Sequence, residues 1–269
     1  MRNLLKSDLT RIFKDKLLLI ICIVGAAFAL ASPLLYTALT VSLDLEAELG
    51  MIVDAKTLFF TAFLPGDNFG LVLTIFITII LCKDFSYGTI RNKIVCGKSR
   101  KDIFLSLFFS CAIVLCSIII AHALLTLLLS LCFFPYQDGG FTGKDFLYLV
   151  ESIALEILVY LFIAALITFL CVSMKNTGLT IVCVIAVTFL CALVGGIAQI
   201  ALQFTPPTSE GASQVLQFLT KSNIFIGSII GQVSSYTFKD MLYVLIPTIV
   251  GSAALIGFGI FVFNKKDVK

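Results

Sequence analysis

Long uncharged apolar stretches alternate along the chain with short polar breaks. Five of them run Leu17 to Leu43, Ile103 to Gln137, Ile157 to Met174, Asn176 to Ser209 and Met241 to Asn264. An α-helix crosses the roughly 30 Å hydrocarbon core of a bilayer with about 20 residues, so each stretch predicts a membrane span. A sixth span is needed between Asp67 and Lys83, but those charges enclose 15 residues, too few at 1.5 Å rise per residue. It must start earlier, with Leu58, Phe59, Phe60, Phe63 and Leu64, and Pro65-Gly66 either kinks it or cuts off a short re-entrant piece. The expected spans cover 17–43, 58–82, 103–134, 150–174, 177–203 and 241–263.

Two further segments are amphipathic. In residues 1–16, Leu4, Leu5, Leu9, Ile12, Phe13 and Leu17 fall near one helical face among Arg2, Lys6, Arg11 and Lys14, which predicts a helix lying in the membrane interface. In residues 204–240, after Pro206-Pro207, Val215, Leu216, Leu219, Ile226, Ile229, Ile230 and Val233 recur at helical spacing in a run too short and polar to cross. Interfacial or re-entrant outer helices before span six are expected there. The fold class is therefore an all-α membrane protein, 1–269 forming one transmembrane domain with six spans.

Composition agrees: 59% of residues are apolar and 13% charged, against roughly 45–50% and 25% in soluble domains. With six spans, fifteen of the nineteen Lys and Arg residues, including all four arginines, fall on one side, together with both termini. The positive-inside bias makes that side cytoplasmic. Asp44, Glu46, Glu48 and Asp54 cluster in the first outer loop. A signal peptide over Leu17 to Leu30 competes for span one, but the apolar run continues through Leu43 with no polar cleavage region. The nine cysteines sit in apolar runs or at their edges with no CxxC pair, and read as buried thiols. No metal site is expected, and no basic stripe suggests nucleic acid.

The one sizeable inner loop is 83–102. Its Cys96-Gly97-Lys98-Ser99 superficially suggests a phosphate-binding loop, but that motif needs glycine at position 92, which is Asn92, and a hydrophobic strand before it. The loop instead reads as a short helix from Thr89 to Val95 with Ile90 and Ile94 on one face, a stop at Gly97 and a helix N-cap at Ser99. Within the spans, ionisable groups are functional suspects. His122, the only histidine, either lines a pathway or bonds a neighbouring helix's carbonyl. Glu151 and Glu156 lie in the outer third of span four, five residues apart and so roughly 140° from each other's face. Small residues at Gly25, Ala192 with Gly196, and Ala253 with Gly257 offer close packing, inside the bundle or between copies.

The pattern Tyr87-Gly88-Thr89-Ile90-Arg91-Asn92-Lys93, then Gly97-Lys98-Ser99-Arg100 and Ile103, resembles the end of the second span in ABC-2-type transporter permeases, notably those of bacitracin, lantibiotic-immunity and peptide-toxin export. The amphipathic start, six spans and basic end Asn264-Lys265-Lys266-Asp267 are similar to that family over nearly the whole chain. Asp84 with Ser86-Tyr87, and Leu107, depart from its usual residues. The resemblance implies a non-enzymatic permease subunit exporting a hydrophobic or amphipathic cargo such as an antimicrobial or toxin peptide. Two cytosolic ABC ATPase subunits would bind ATP and Mg and supply the energy, so this chain needs no cofactor. It also implies a second permease copy, as a homodimer or a heterodimer with a related permease. The loop 83–102 would be the coupling element, with Asp84, Gly88, Thr89, Ile90, Arg91, Asn92, Lys93 and Arg100 receiving the ATPase, and the first helix resting against it. His122, Glu151 and Glu156 are the candidates for lining such a pathway. A stand-alone secondary transporter or channel is the alternative; it calls for inverted repeats and several buried ionisable groups. An intramembrane enzyme would need a catalytic elbow or metal motif, which the sequence lacks.

Overall fold

The computed structural model describes residues 1–43, 54–65, 68–137, 140–174, 176–204, 210–223 and 238–265. Ten helices are present among these residues: α1 (Arg2–Phe13), α2 (Lys16–Leu43), α3 (Ala55–Thr61), α4 (Asn68–Ser86), α5 (Thr89–Val95), α6 (Arg100–Ser130), α7 (Gly143–Met174), α8 (Thr177–Phe204), α9 (Glu210–Lys221) and α10 (Phe238–Lys265). Six are long and apolar enough to cross a membrane: Lys16–Thr40, Phe69–Ser86, Arg100–Ser130, Gly143–Met174, Thr177–Phe204 and Met241–Lys265.

α6 and α7 form the enclosed centre. Phe104, Leu107 and Leu115 of α6 and Tyr160, Ile163 and Ile167 of α7 are buried, and α7 packs against α6, α8 and α10. Outer faces stay apolar, with Ile23 and Leu35 of α2, Val182 and Phe189 of α8 and Val250 and Phe258 of α10 exposed, as lipid-facing positions require. Lipid tails are as apolar as leucine, so close packing and interhelical hydrogen bonds must hold such a bundle. Aromatic rings lie directly on glycines. A Cβ at Gly259 would stand 2.4 Å from Phe104 Cζ, and one at Gly25 would stand 2.7 Å from Phe69 Cζ. Beside Gly196 and Gly257 there is open space.

The stretch expected as one span over 58–82 is divided. α3 opens with the Asp54 carboxylate accepting from Thr57 N–H at 2.7 Å and ends at Thr61. Four residues later Pro65, which lacks an N–H, ends helical pairing. The Leu64 carbonyl lies against the start of α4, where a Cβ at Gly70 would meet its oxygen at 2.3 Å. The buried Tyr160 hydroxyl donates to the Phe63 carbonyl at 3.1 Å and fixes this turn. Of the two arrangements that Pro65-Gly66 allows, the separate short piece is present, and Phe59 and Phe63 bury it in the bundle. The crossing that remains, Phe69–Ser86, has 18 residues, about 27 Å of helix.

In the segment before α10, α9 packs against α8 and α10, with Phe218 and Tyr243 in edge contact at 6.0 Å between ring centres. The expected second helix, around Ile226 to Val233, lies outside the described residues, as do the acidic residues Asp44, Glu46 and Glu48 and the end from Lys266.

Candidate functional site

One end of the bundle carries a charged cluster that joins α1 to the α4–α5–α6 connection. Its local geometry is encoded in the loop. Gly88 adopts φ 68°, a left-handed conformation that L side chains resist, and so turns the chain from α4 into α5. Gly97 at φ 76° ends the helix, with its N–H donating to the Ile94 carbonyl at 2.9 Å. Ser99 then opens α6 by accepting from the Asp102 N–H at 3.1 Å, while its own hydroxyl donates to the Asp102 carboxylate at 2.8 Å. Ile90 is buried and Ile94 half-buried beneath α5.

Three ion pairs cross from the first helix and its exit to this loop. Asp8, 2% exposed, accepts from Lys93 Nζ at 2.5 Å and from Ser106 Oγ at 2.6 Å, so α1, α5 and α6 meet at one carboxylate. Arg11 makes a two-pronged contact with the buried Asp84, its Nη2 donating to Oδ2 at 2.5 Å. The Thr89 hydroxyl at the start of α5 reaches the same carboxylate at 2.7 Å. Between α1 and α2, Asp15 accepts from Lys83 Nζ at 2.6 Å and from the Leu17 N–H at 3.0 Å. Burial alone would raise the Asp15 carboxyl's pKa. The Lys83 hydrogen bond, the Leu17 N–H and the positive charges of Lys83 and Arg11 outweigh burial and hold it below its ordinary value.

This arrangement sorts the charges of the first helix. Both acids of the segment turn toward the bundle, while Arg2, Lys6 and Lys14 stay exposed. A buried ion pair recovers its desolvation cost only when the geometry is good and further hydrogen bonds satisfy the remaining oxygens; Asp8 and Asp84 each have such an extra hydroxyl, from Ser106 and Thr89.

The loop residues singled out by sequence divide into two groups. Asp84, Thr89, Ile90 and Lys93 face inward and hold α5 down. Arg100 also turns inward, donating to the carbonyls of Phe263 at 2.8 Å and Asn264 at 3.0 Å, where it caps the C-terminal end of α10. Arg91 and Asn92 are exposed. Arg91 shares its face with Val95, 79% exposed, and Tyr87, 73% exposed, stands just before the helix. The three basic residues expected to receive the ATPase, Arg91, Lys93 and Arg100, are therefore not equivalent. Lys93 and Arg100 already have partners within the chain, and Arg91 is the exposed arginine of the three.

Sequence reasoning missed Asp8, Arg11, Asp15, Lys83 and Ser106 as cluster members. A signal existed: Asp8 sits four residues from both Leu4 and Ile12, so a carboxylate lies in line with the buried apolar stripe.

The intramembrane candidates lie on α6 and α7. His122 Nδ1 donates to the Gly25 carbonyl of α2 at 3.0 Å, with its ring 4.3 Å from that of Phe69. Of its two sequence-allowed roles, the interhelical bond is formed. A small cavity of about 50 Å³ lies beside it, lined by Ser32, Tyr36, Thr61 and Thr126 among others. Glu151 is exposed and Glu156 is 4% exposed with Oε2 unpartnered, so the two carboxylates occupy different faces of α7. Among the described residues no group of three or more His, Cys, Asp or Glu is placed to hold a metal ion.

Six apolar crossing helices, with α6 and α7 enclosed at their centre, define an integral membrane protein. The chain belongs to the DUF2705 family of proteins of unknown function, whose model matches residues 19–269. The match includes the α4–α6 half of the cluster; α1 precedes it. No curated protein matches the chain.

Proposed function

We propose that this chain is the permease subunit of an ATP-driven exporter in a bacterial plasma membrane, with both termini cytoplasmic and with energy supplied by separate ABC ATPase subunits that bind ATP and Mg. The observation that carries the reading is the mounting of α5. This seven-residue helix is clamped from beneath by α1 and by the end of α4, and leaves Tyr87, Arg91 and Val95 exposed. A helix held in this way transmits displacement to two crossing helices, α2 through α1 and α4 directly, which is what a coupling element must do. Its free side pairs an arginine, suited to a partner's carboxylate, with two apolar contacts. The excess of basic residues at this end supports a cytoplasmic location through the positive-inside bias.

The cargo is hydrophobic or amphipathic, an antimicrobial or toxin peptide by family resemblance, and two permease copies, identical or related, enclose its path in the surrounding lipid. Open space beside Gly196 on α8 leaves room for a second copy to approach. The unpartnered Glu156 favours one second reading, a stand-alone secondary transporter coupled to an ion. Glu156→Gln separates the two: it abolishes ion-driven transport under the second reading and leaves ATP-driven transport in place under the first.

The decisive test asks whether an ABC ATPase is encoded beside the gene and reconstitutes this chain with it. The purified chain alone hydrolyses no ATP, and the pair shows ATPase activity that rises with cargo. Arg91→Ala, exposed and outside the clamp, keeps insertion and stability and loses most of the stimulation. Full stimulation in a well-inserted Arg91→Ala, Val95→Asp chain sinks the docking role of α5. Single cysteines check orientation: Ser99→Cys stays protected from an impermeant reagent added outside intact cells, and Ser213→Cys is labelled.

A further inference from the structure

Cys82 of α4 and Cys171 of α7, 89 positions apart in sequence, are in contact, with Sγ atoms 2.9 Å apart. Both are enclosed, at 2% and 0% exposure. A disulfide bond is about 2.05 Å long, so less than 1 Å of approach separates these sulfurs from bonding distance. Thr180 of α8, also buried, lies close to the Cys82 sulfur, which places the pair where three crossing helices meet. Other thiols differ in their surroundings: Cys116 and Cys132 donate to the backbone carbonyls of Ile157 and Leu128. Cys82 also immediately precedes Lys83 and Asp84, the α4 side of the clamp.

We propose that Cys82 and Cys171 are a modification site, an oxidisable dithiol that a small neutral oxidant of the peroxide class converts to a disulfide joining α4 to α7. The chemistry balances in two steps. One thiol, as thiolate, attacks a peroxide oxygen; the O–O bond breaks, the sulfur becomes a sulfenic acid and, with the thiol's proton, one water leaves. The second thiol then attacks the sulfenic sulfur, the S–O bond breaks, and the hydroxyl departs with the second thiol's proton as another water. Net, two thiols and one hydrogen peroxide give one disulfide and two waters. A neutral oxidant is required because the sulfurs lie inside the bundle, where a charged one pays heavily to enter. The product would fix α4 against α7 one residue from the clamp; under the coupling reading, it would block the movement that α5 passes to α4.

The test is thiol mapping of the full chain in lipid nanodiscs under graded hydrogen peroxide, followed by denaturation in N-ethylmaleimide, digestion and mass spectrometry. The expected product is a linked Cys82–Cys171 peptide, lighter by two hydrogens than its separate parts and released by dithiothreitol, while the buried Cys111 remains alkylated. The proposal is overturned if Cys82 and Cys171 both remain alkylated at peroxide levels that oxidise the exposed Cys96, or if Cys82 is found linked to another cysteine. Cys82→Ser and Cys171→Ser each leave the other thiol alkylatable, and wild-type mapping decides the matter if either variant fails to insert. Neither ATPase nor transport enters the assay, so its outcome is independent of the permease reading.

Discussion

Removing the Asp8 carboxylate is the sharpest perturbation of the clamp, because one side chain joins three helices. In Asp8→Ala the Lys93 ammonium, whose side chain is 15% exposed, loses its counterion while still enclosed. Breaking a buried pair from one side costs roughly 3–5 kcal/mol. Lys93 can lift its tip toward water, so the low end applies, about 3 kcal/mol. Ser106 adds little, since its hydroxyl can turn to a carbonyl of its own helix as Ser110 does toward Leu107 at 3.0 Å. At about 1.4 kcal/mol per tenfold, α1 and α5 should open roughly 100-fold more often. Hydrogen exchange of the chain in nanodiscs reads this directly: amides of α1 and α5 lose about two decades of protection, and those in the centre of α7 keep theirs. Lys93→Met should cost a similar amount by stranding Asp8. The double variant Asp8→Leu, Lys93→Met removes both charges and should recover most of the loss, since a well-packed apolar pair is often as stable as a buried ion pair. Protection in α1 and α5 unchanged within threefold in Asp8→Ala, or additive losses in the double variant, would refute the claim that this pair fastens the helices.

Three other outcomes are expected. Arg100→Ala removes two charge-assisted hydrogen bonds to the end of α10 and should fray its last turn by roughly 1–3 kcal/mol, seen as faster exchange confined to residues near Phe263, with Arg100→Lys recovering part of it. Gly259→Ala drives a methyl group into the ring of the fully buried Phe104 and should lower stability by roughly 1–3 kcal/mol, whereas Gly196→Ala, with open space beside it, should stay within about 0.5 kcal/mol in thermal unfolding of the detergent-solubilised monomer. Because the Asp15 carboxyl is held below its ordinary value of 3.8, its contribution to stability is complete above that value and is lost as pH falls through the lower folded value; the acid limb of the unfolding temperature should therefore flatten in Asp15→Asn.

Most of the architecture is legible in hydropathy because lipid imposes one rule everywhere: a crossing segment must satisfy its own backbone and present apolar side chains. That rule reaches the six crossings, and backbone chemistry a sequence displays sets the helix in the 83–102 loop, bounded by Gly88 and Gly97, and the start of α6 at Ser99. It stops where a choice depends on tertiary contact. Pro65-Gly66 allows a kinked span or a separate piece, and what decides between them is the Tyr160 hydroxyl, ninety-seven residues away from the Phe63 carbonyl it holds. His122 likewise allows a pathway role or a bond across helices, and the Gly25 carbonyl, also ninety-seven residues distant, is what it reaches.

The charged end shows a different limit. Topogenic bias fills this end with lysine and arginine regardless of what each one does, so basic residues there carry little positional information, and Lys93 and Arg100 look as available as Arg91. The acids are the informative residues. Topology gives no reason for a carboxylate in a basic segment, and one aligned with a buried apolar stripe must have a partner or carry a desolvation cost of several kcal/mol. Asp8, Asp15 and Asp84 each meet that condition by taking a cation from another part of the chain. Subtracting those pairs from the basic surplus leaves Arg91 exposed on α5 with Val95 on its face and Tyr87 before it. A partner-facing surface is thus better located by following the acids inward and asking which cations remain than by counting the cations themselves.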